Sequence, residues 1–192
     1  WHVNEPHPLL VEHKGADWTR VLVPLCGASH DLGWLADQGC EVVGVEVSDV
    51  AARRVFEQRG DEPSLTTVGG FELLSAGNLH VAVGDMFEFS AEIAGTFDAV
   101  WDRAALVAIP PQTRDTYQHV LRAVAPRADL LLTVFEYDPS VMDGPPHTVP
   151  TDEVARLVPG ARLLRADDLS EEFAERGRSG VFMRKLYRAR LS

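Results

Sequence analysis

Short apolar runs alternate with stretches of helical periodicity along most of this chain. The clearest case is residues 21–46, VLVPLCGASHDLGWLADQGCEVVGVE, where an apolar run leads into a turn at Gly27 and a helical pattern opens at Ser29. Gly39 ends that pattern, and a second run rich in β-branched residues closes on Glu46. This order predicts a βαβ unit, in which a helix joins two parallel strands.

Similar patterns in the rest of the chain predict the remaining strands and helices. Strands are predicted from apolar or alternating runs at residues 79–83, 97–101, 130–135, 162–165 and 181–190. Helices are predicted from spacing or capping signals at residues 9–11, 49–59, 111–124 and 151–157. Glycine turns within residues 61–78 indicate a short hairpin. The run at 130–135 is the most apolar and predicts a strand buried on both faces, in one α/β domain over residues 1–192 with a mostly parallel sheet.

The acidic residue that closes the second run indicates a nucleotide-binding site. Glu46 follows the glycine turn by about twenty positions, where nucleotide-binding sheets place the carboxylate that takes the ribose hydroxyls. Only Gly27 stands in the turn, so the three-glycine pattern that admits a dinucleotide pyrophosphate is absent. A single glycine suits S-adenosyl-L-methionine (SAM), which has no phosphate, and favours a methyltransferase. The alternatives are an unrelated α/β nucleotide-binding protein and, for Glu46 itself, a solvated carboxylate at a strand end.

Composition limits the partners that this chain is expected to have. Its formal net charge of −11 disfavours nucleic acid and anionic lipid, because both bind clustered Lys and Arg. Cys26 and Cys40 are too few for a disulfide scaffold, which predicts a reduced, cytoplasmic protein. No apolar stretch is long enough to span a bilayer, and no Cys/His cluster has metal-ligand spacing. We therefore expect a monomer that binds a small molecule, without a membrane span or a metal.

Strand ends supply the candidate site residues, since ligands of open α/β sheets lie at the carboxyl ends of the strands. Those ends are residues 24–27, Glu46, the pair Asp85–Met86 and the pair Asp102–Arg103. We expect Asp85 and Met86 beside the adenine, with plain core packing as the alternative for Met86. Cys26 is a weak candidate for a covalent nucleophile, because no histidine pairs with it locally and packing explains a small apolar residue equally well.

Five segments resemble the thiopurine S-methyltransferase family. They are PLCG at residues 24–27, VVGVE at 42–46, WDRAALVAI at 101–109, EYDPSVMDGPPHTVP at 136–150 and KLY at 185–187, in the order of that family. The resemblance implies a single-domain class I SAM-dependent methyltransferase fold, with a seven-stranded sheet whose last strand is antiparallel. It implies sulfur methylation of a small thiopurine-like, aromatic or heterocyclic thiol, with S-adenosyl-L-homocysteine (SAH) as product. A selenium, tellurite or other metalloid acceptor, a halide acceptor, and a non-catalytic SAM-binding paralogue are the alternatives.

The resemblance also assigns residues to the cofactor and the acceptor. The positions that match the family's cofactor contacts are Leu25, Glu46, Asp85, Met86 and Arg103. The positions that match its substrate side are Trp1, His2 and Arg176. Arg103 is expected to hold the acceptor anion, oriented by a salt bridge from Asp102. His2 and His147 are candidate proton acceptors, with surface loop histidines as the alternative.

Three departures from the family pattern affect the acceptor side more than the cofactor side. Ala28 follows PLCG where the family usually has lysine, and His147 ends GPPH where the family usually has GPPF. The N-terminal helix whose tryptophan covers SAM is not recognisable and is expected upstream of residue 1. The Pro and Gly content of residues 138–147 predicts a mobile lid over the acceptor.

Overall fold

The computed structural model describes residues 5–192, which form a nine-stranded sheet with helices packed on it. In chain order the strands are β1 (Arg20–Pro24), β2 (Glu41–Glu46), β3 (Ser64–Val68), β4 (Phe71–Ala76), β5 (Leu79–Val83), β6 (Ala99–Arg103), β7 (Asp129–Tyr137), β8 (Arg162–Asp168) and β9 (Phe182–Arg190). The helices are α1 (Pro8–His13), α2 (His30–Asp37), α3 (Asp49–Glu57), α4 (Ala91–Ala94), α5 (Ala105–Ala108), α6 (Arg114–Val124), α7 (Thr151–Leu157) and α8 (Ser170–Glu175).

The sheet has the predicted class I arrangement with one addition. Its strand order is β3-β4-β5-β2-β1-β6-β7-β9-β8. The five strands from β5 to β7 run parallel, and β9 returns antiparallel between β7 and β8, as expected of the last strand. The predicted count of seven strands was wrong, because β3 and β4 form the expected hairpin and β4 then pairs antiparallel with β5. The hairpin therefore extends the sheet at one edge.

Local signals place α2 where the sequence predicts it. Ser29 caps the helix by accepting a hydrogen bond from the Asp31 backbone N–H at 3.2 Å. Leu32 and Leu35 are buried against the sheet. Gly39 follows the helix with a φ of 85°, at the turn that leads into β2. Glycine suits this position because side chains rarely tolerate a left-handed backbone. The predicted βαβ unit is thus confirmed.

Several short elements were missed in the sequence. Helices α4, α5 and α8 span only four to six residues, too few for a helical period to be visible. The helix predicted from Pro111 begins instead as a 3₁₀ turn at Pro111–Thr113 and becomes α-helical at Arg114. The most apolar run lies inside β7, where residues 130–134 are buried as predicted and Phe135 is partly exposed.

Strand alternation divides the core into two clusters on opposite faces of the sheet. Side chains along a strand point alternately to the two faces. In β6, Val100 packs with Tyr117 of α6, whereas Trp101 packs with Leu10 of α1 and Leu32 of α2. Asp102 and Arg103, at the end of β6, follow the same alternation, so only one of the two faces the candidate site.

Candidate functional site

The turn after β1 is held against the end of β2 by backbone and carboxylate hydrogen bonds. Leu25 and Gly27 have positive φ values of 45° and 55°. The Cys26 N–H donates to the Val45 carbonyl at 3.0 Å, and the Gly27 N–H donates to Glu46 Oε2 at 2.8 Å. A Cβ at Gly27 would meet no atom within 4 Å, so this part of the turn faces open space. A flat ligand could approach the backbone there.

Glu46 keeps acceptor capacity for a ligand although it already binds two backbone amides. Its second oxygen, Oε1, accepts from the Ser48 N–H at 2.9 Å. A carboxylate has about four lone-pair sites, so each oxygen can accept one further hydrogen bond. Glu46 is partly exposed, which leaves these sites reachable. The geometry suits two adjacent ribose hydroxyls, which donate hydrogen bonds.

The predicted pair at the end of β5 separates into one exposed and one buried residue. The Gly84 N–H donates to the Glu46 carbonyl at 3.0 Å and so keeps this strand end beside Glu46. Asp85 is exposed and accepts from the Phe87 N–H at 2.9 Å. Met86 is only 5% exposed and packs in the core with Phe89. The core-packing interpretation therefore describes the Met86 side chain, and Asp85 is the member of the pair that a ligand can reach.

An open cleft adjoins the turn on the side of α1 and α2. It is lined by Glu5, Pro6, His7, Pro8, Cys26, Gly27, Ala28, Ser29, His30, Asp31 and Arg103. Arg103 is the residue of β6 that reaches this cleft, in agreement with the sequence prediction. The cleft thus joins the glycine turn, a guanidinium and two histidines at the carboxyl edge of the sheet.

Asp102 does not form the predicted salt bridge with Arg103. It points to the opposite face of the sheet because neighbouring strand residues alternate. There it is fully buried, accepts from the Tyr117 hydroxyl at 2.8 Å, and accepts from the Leu106 N–H at 3.0 Å. Burial raises the pKa of Asp102 to about 6, partly offset by those hydrogen bonds. Asp102 joins β6, α5 and α6, and it has no direct path to the cleft.

A buried carboxylate that sequence reasoning missed connects the cleft to β6. Asp31, in the first turn of α2, is 2% exposed. Its Oδ2 accepts from Trp101 Nε1 at 2.8 Å, and its Oδ1 accepts from the His7 N–H at 2.7 Å. Three elements that are distant in sequence therefore meet at this one group.

His7 is the second residue that sequence reasoning missed. It caps α1, since its Nδ1 accepts from the Leu9 N–H at 3.2 Å, and its ring lies 6.0 Å from that of Trp101. Burial, and then the charge of Arg103, lowers the pKa of His7 to about 4. A polar residue before Pro8 and an apolar helix is a recognisable N-cap signal. Nothing local in the sequence indicates that this cap lies near Arg103.

The other predicted acceptor residues are not brought into the cleft. The His147 N–H donates to the Val107 carbonyl at 2.6 Å, which ties the end of the predicted lid to α5. Arg176 ends α8 and pairs with Glu172 at 2.8 Å. Helix α8 follows β8, three strand spacings from β6, or roughly 14 Å across the sheet. Trp1 and His2 lie outside the described residues.

Cys26 is a packing residue and not a nucleophile. Burial, and then the charge of Glu46, raises its thiol pKa far above the usual value, so the reactive thiolate is disfavoured. Its sulfur would lie 2.7 Å from a Cβ added at Gly44, so the glycine in β2 permits this close packing. The small residue of the turn after β1 and the glycine of β2 fit each other here.

The described part of the chain has neither a metal-ligand cluster nor a membrane-spanning helix. Within residues 5–192, no three His, Cys, Asp or Glu side chains are grouped as metal ligands would be. None of the helices in the same range combines the length and the apolar character needed to cross a bilayer.

Comparison with known proteins points to one family along the whole chain. The family model of thiopurine S-methyltransferase (TPMT) matches residues 1–190. A thiopurine S-methyltransferase of Pseudomonas aeruginosa is 39% identical over 188 residues, covering 92% of this chain and 86% of the relative. One from Xanthobacter autotrophicus is 38% identical over 172 residues, covering 88% and 81%. The match to one from Pseudomonas syringae pv. pisi, at 42% identity, covers 73% of this chain and 65% of that relative.

Solved structures share the fold at much lower identity. A TehB-like SAM-dependent methyltransferase from Corynebacterium glutamicum has a TM-score of 0.57 at 14% identity, covering 93% of this chain and 84% of the other. A 1,6-didemethyltoxoflavin-N1-methyltransferase from Burkholderia thailandensis, with bound SAH, has a TM-score of 0.58 at 16% identity, covering 90% and 71%. At this identity the likeness concerns the fold alone.

Proposed function

The chain belongs to the thiopurine S-methyltransferase family and is a SAM-dependent methyltransferase, and we propose that its acceptor is the sulfur of a small acidic thiol of the thiopurine-like, aromatic or heterocyclic kind. The observation that carries this proposal is the position of Arg103. Its side chain lines the same cleft as Gly27, whose N–H is bound by Glu46. A cation for the acceptor and a carboxylate for the cofactor thus lie on either side of one turn.

The residues on the cofactor side fit SAM in their chemistry. Glu46 would accept from the ribose hydroxyls, and the backbone of Leu25 and Gly27 leaves room beside it. Asp85, at the neighbouring strand end, would lie beside the adenine. When bound, SAM supplies an electrophilic methyl group. The residues of the turn hold the cofactor in place and take no part in bond making.

The residues on the acceptor side favour an anion. Arg103 brings a guanidinium cation to the cleft, and a nearby cation stabilises thiolate over thiol. Thiolate is the nucleophilic form of sulfur. Holding such an anion in line with the methyl group can account for roughly 7–11 kcal/mol of the barrier. Arg103 therefore acts by binding and orientation.

Two of the ionisable groups that line the cleft, Asp31 and His7, are poor bases for a neutral thiol. Asp31 is 2% exposed, and its two oxygens accept from Trp101 and from the backbone of His7, so an acceptor has little access to them. The lowered pKa of His7 makes that ring a weak base. Acceptors that already ionise near neutral pH would not need a base. We therefore propose acidic thiols as the acceptors and expect simple alkane thiols to be poorer substrates.

The test has a binding part and an activity part. Titration calorimetry should detect SAM and SAH and should not detect NAD. Labelled SAM should then be offered with an acidic aromatic thiol, an alkane thiol, selenite, tellurite and iodide. Methylation of the aromatic thiol well above all others supports the proposal. Faster methylation of selenite, tellurite or iodide would contradict the thiol proposal and assign that acceptor class to the enzyme. SAM binding without any methylation would indicate a non-catalytic paralogue.

A further inference from the structure

The ring of His7 is fixed at the cleft from two directions. Its own backbone N–H binds Asp31 at 2.7 Å, and its Nδ1 accepts from the Leu9 N–H at 3.2 Å. The ring also packs 6.0 Å from the Trp101 ring, and Trp101 is itself bound to Asp31 at 2.8 Å. A side chain held in this way has little rotational freedom left to lose when a ligand binds.

The hydrogen bond at Nδ1 determines the tautomer of the ring. A backbone N–H can only donate, so Nδ1 must be the acceptor. In a neutral imidazole the proton then sits on Nε2, which becomes a donor. Within residues 5–192, Nε2 has no hydrogen-bond partner, and the atom is not fully buried. His7 is one of the residues that line the cleft. The ring therefore offers one unused N–H in the lining of the cleft.

The surroundings of His7 keep the ring neutral and attract negative charge. Burial is the main reason for its lowered pKa, and Arg103 of β6 is the second. Arg184 of β9 lowers the pKa further, while Asp31 of α2 and Asp167 of β8 raise it. The ring thus contributes a dipole beside the Arg103 cation without adding a second charge.

We infer that His7 is an acceptor-binding residue, which donates a hydrogen bond from Nε2 to the anionic acceptor held by Arg103 in the cleft. This inference rests on the proposed function, since it requires an anion at this place. An imidazole N–H and a guanidinium both donate hydrogen bonds, so together they favour a ligand that has lone pairs and a negative charge. The thiolate sulfur, or a ring nitrogen next to it, is the chemical group that they would recognise.

The test uses two substitutions that preserve the cap of α1. Ser and Asp are both favoured at the N-cap, so His7→Ser and His7→Asp should both retain the helix. Ser is too short to reach the acceptor, and Asp adds a negative charge in its place. His13→Ser, at the other end of the same helix, is the matched control. The measurements are kcat, KM for an acidic aromatic thiol, the dissociation constant of SAH, and the melting temperature.

We expect His7→Ser to lower kcat/KM by roughly 10- to 100-fold, the range for losing one hydrogen bond to a charged group. His7→Asp should lose more, while both variants bind SAH as the wild type does and the His13→Ser control keeps full activity. Because the ring stays neutral, the pH profiles of kcat/KM for the wild type and for His7→Ser should have the same shape, with no step near 6.5 that only the wild type shows.

Other outcomes would overturn the inference in distinguishable ways. Wild-type kcat/KM in His7→Ser would show that Nε2 does not contact the acceptor, even if His7→Asp were inactive through its charge. Equal losses in His7→Ser and His13→Ser, with lower melting temperatures, would assign the effect to α1. If the wild-type protein methylates no thiol at all, the proposed function is wrong, and the inference that rests on it is overturned as well.

Discussion

Replacing Glu46 with alanine should weaken cofactor binding and the free protein together. The carboxylate accepts from the Gly27 N–H at 2.8 Å and from the Ser48 N–H at 2.9 Å. A hydrogen bond to a charged group contributes about 1.5–3 kcal/mol. Glu46 is only partly buried, so water replaces some of each bond in the variant. We therefore expect the free energy of unfolding to fall by about 2 kcal/mol, less than the roughly 3 kcal/mol at the lower end for two such bonds.

The loss of cofactor affinity should be of similar size. Ribose presents two hydroxyls to the carboxylate, and losing even one charge-assisted bond at about 1.4 kcal/mol corresponds to a tenfold change in the dissociation constant. We expect SAH binding to weaken by ten- to a hundredfold. Glu41, at the opposite end of β2 and exposed, is the control position. Glu41→Ala should bind SAH as the wild type does.

The assay combines calorimetry with SAH and urea unfolding without ligand, both well below the melting temperature. Unchanged SAH affinity in Glu46→Ala, together with lower stability, would show that Glu46 only holds the glycine turn. If neither quantity changes, the hydrogen bonds to Gly27 and Ser48 contribute nothing measurable and the reasoning from their geometry is wrong.

Three further perturbations test other parts of the site. Arg103→Lys keeps the charge but loses the planar fork of the guanidinium, so kcat/KM for an acidic thiol should fall at least tenfold, about 1.4 kcal/mol. The affinity for SAM should fall less. Unchanged single-turnover methylation at saturating SAM would exclude an acceptor-binding role for Arg103. The folded-state pKa of Asp102 is about 6, above the usual value near 4, so its carboxyl stabilises the fold least above pH 6. The free energy of unfolding of Asp102→Asn, measured in urea relative to the wild type, should therefore rise by up to about 3 kcal/mol between pH 4 and pH 7.5. A difference that does not depend on pH would refute this. Residues 138–147 should become more resistant to proteolysis when SAH and an acceptor are both present, and unchanged cleavage there would contradict the predicted lid.

Much of the cofactor side could be predicted from the sequence because its signals are local. Ser29 caps its helix through an amide two residues away. Gly27 and Glu46 lie in one βαβ unit, whose handedness and spacing follow from general rules of parallel sheets. The side of β6 that faces the cleft also follows from alternation, once Arg103 is assigned to it. The same alternation excludes the predicted salt bridge with Asp102, and it could have been applied to the sequence.

The acceptor side depended on contacts between distant segments. Asp31 binds Trp101 across 70 positions of the chain. His7 shares a cleft with Arg103 although the hairpin, three further strands and several helices lie between them in sequence. The hairpin at residues 64–76 was recognised, but its pairing with β5 depended on which sheet edge was left open.

The difference between what the sequence predicts and what only the tertiary structure determines has a physical cause. Caps, turns and hydrophobic periods arise from interactions within a few residues, so the sequence alone determined the βαβ unit, the glycine turn and the place of Glu46. Burial and the proximity of charges depend on packing between elements, so only the tertiary structure decided that Asp102 is a buried partner of Tyr117. It likewise decided that His7 stands neutral beside Arg103, because the desolvation and the cation that lower its pKa come from segments brought together by the sheet.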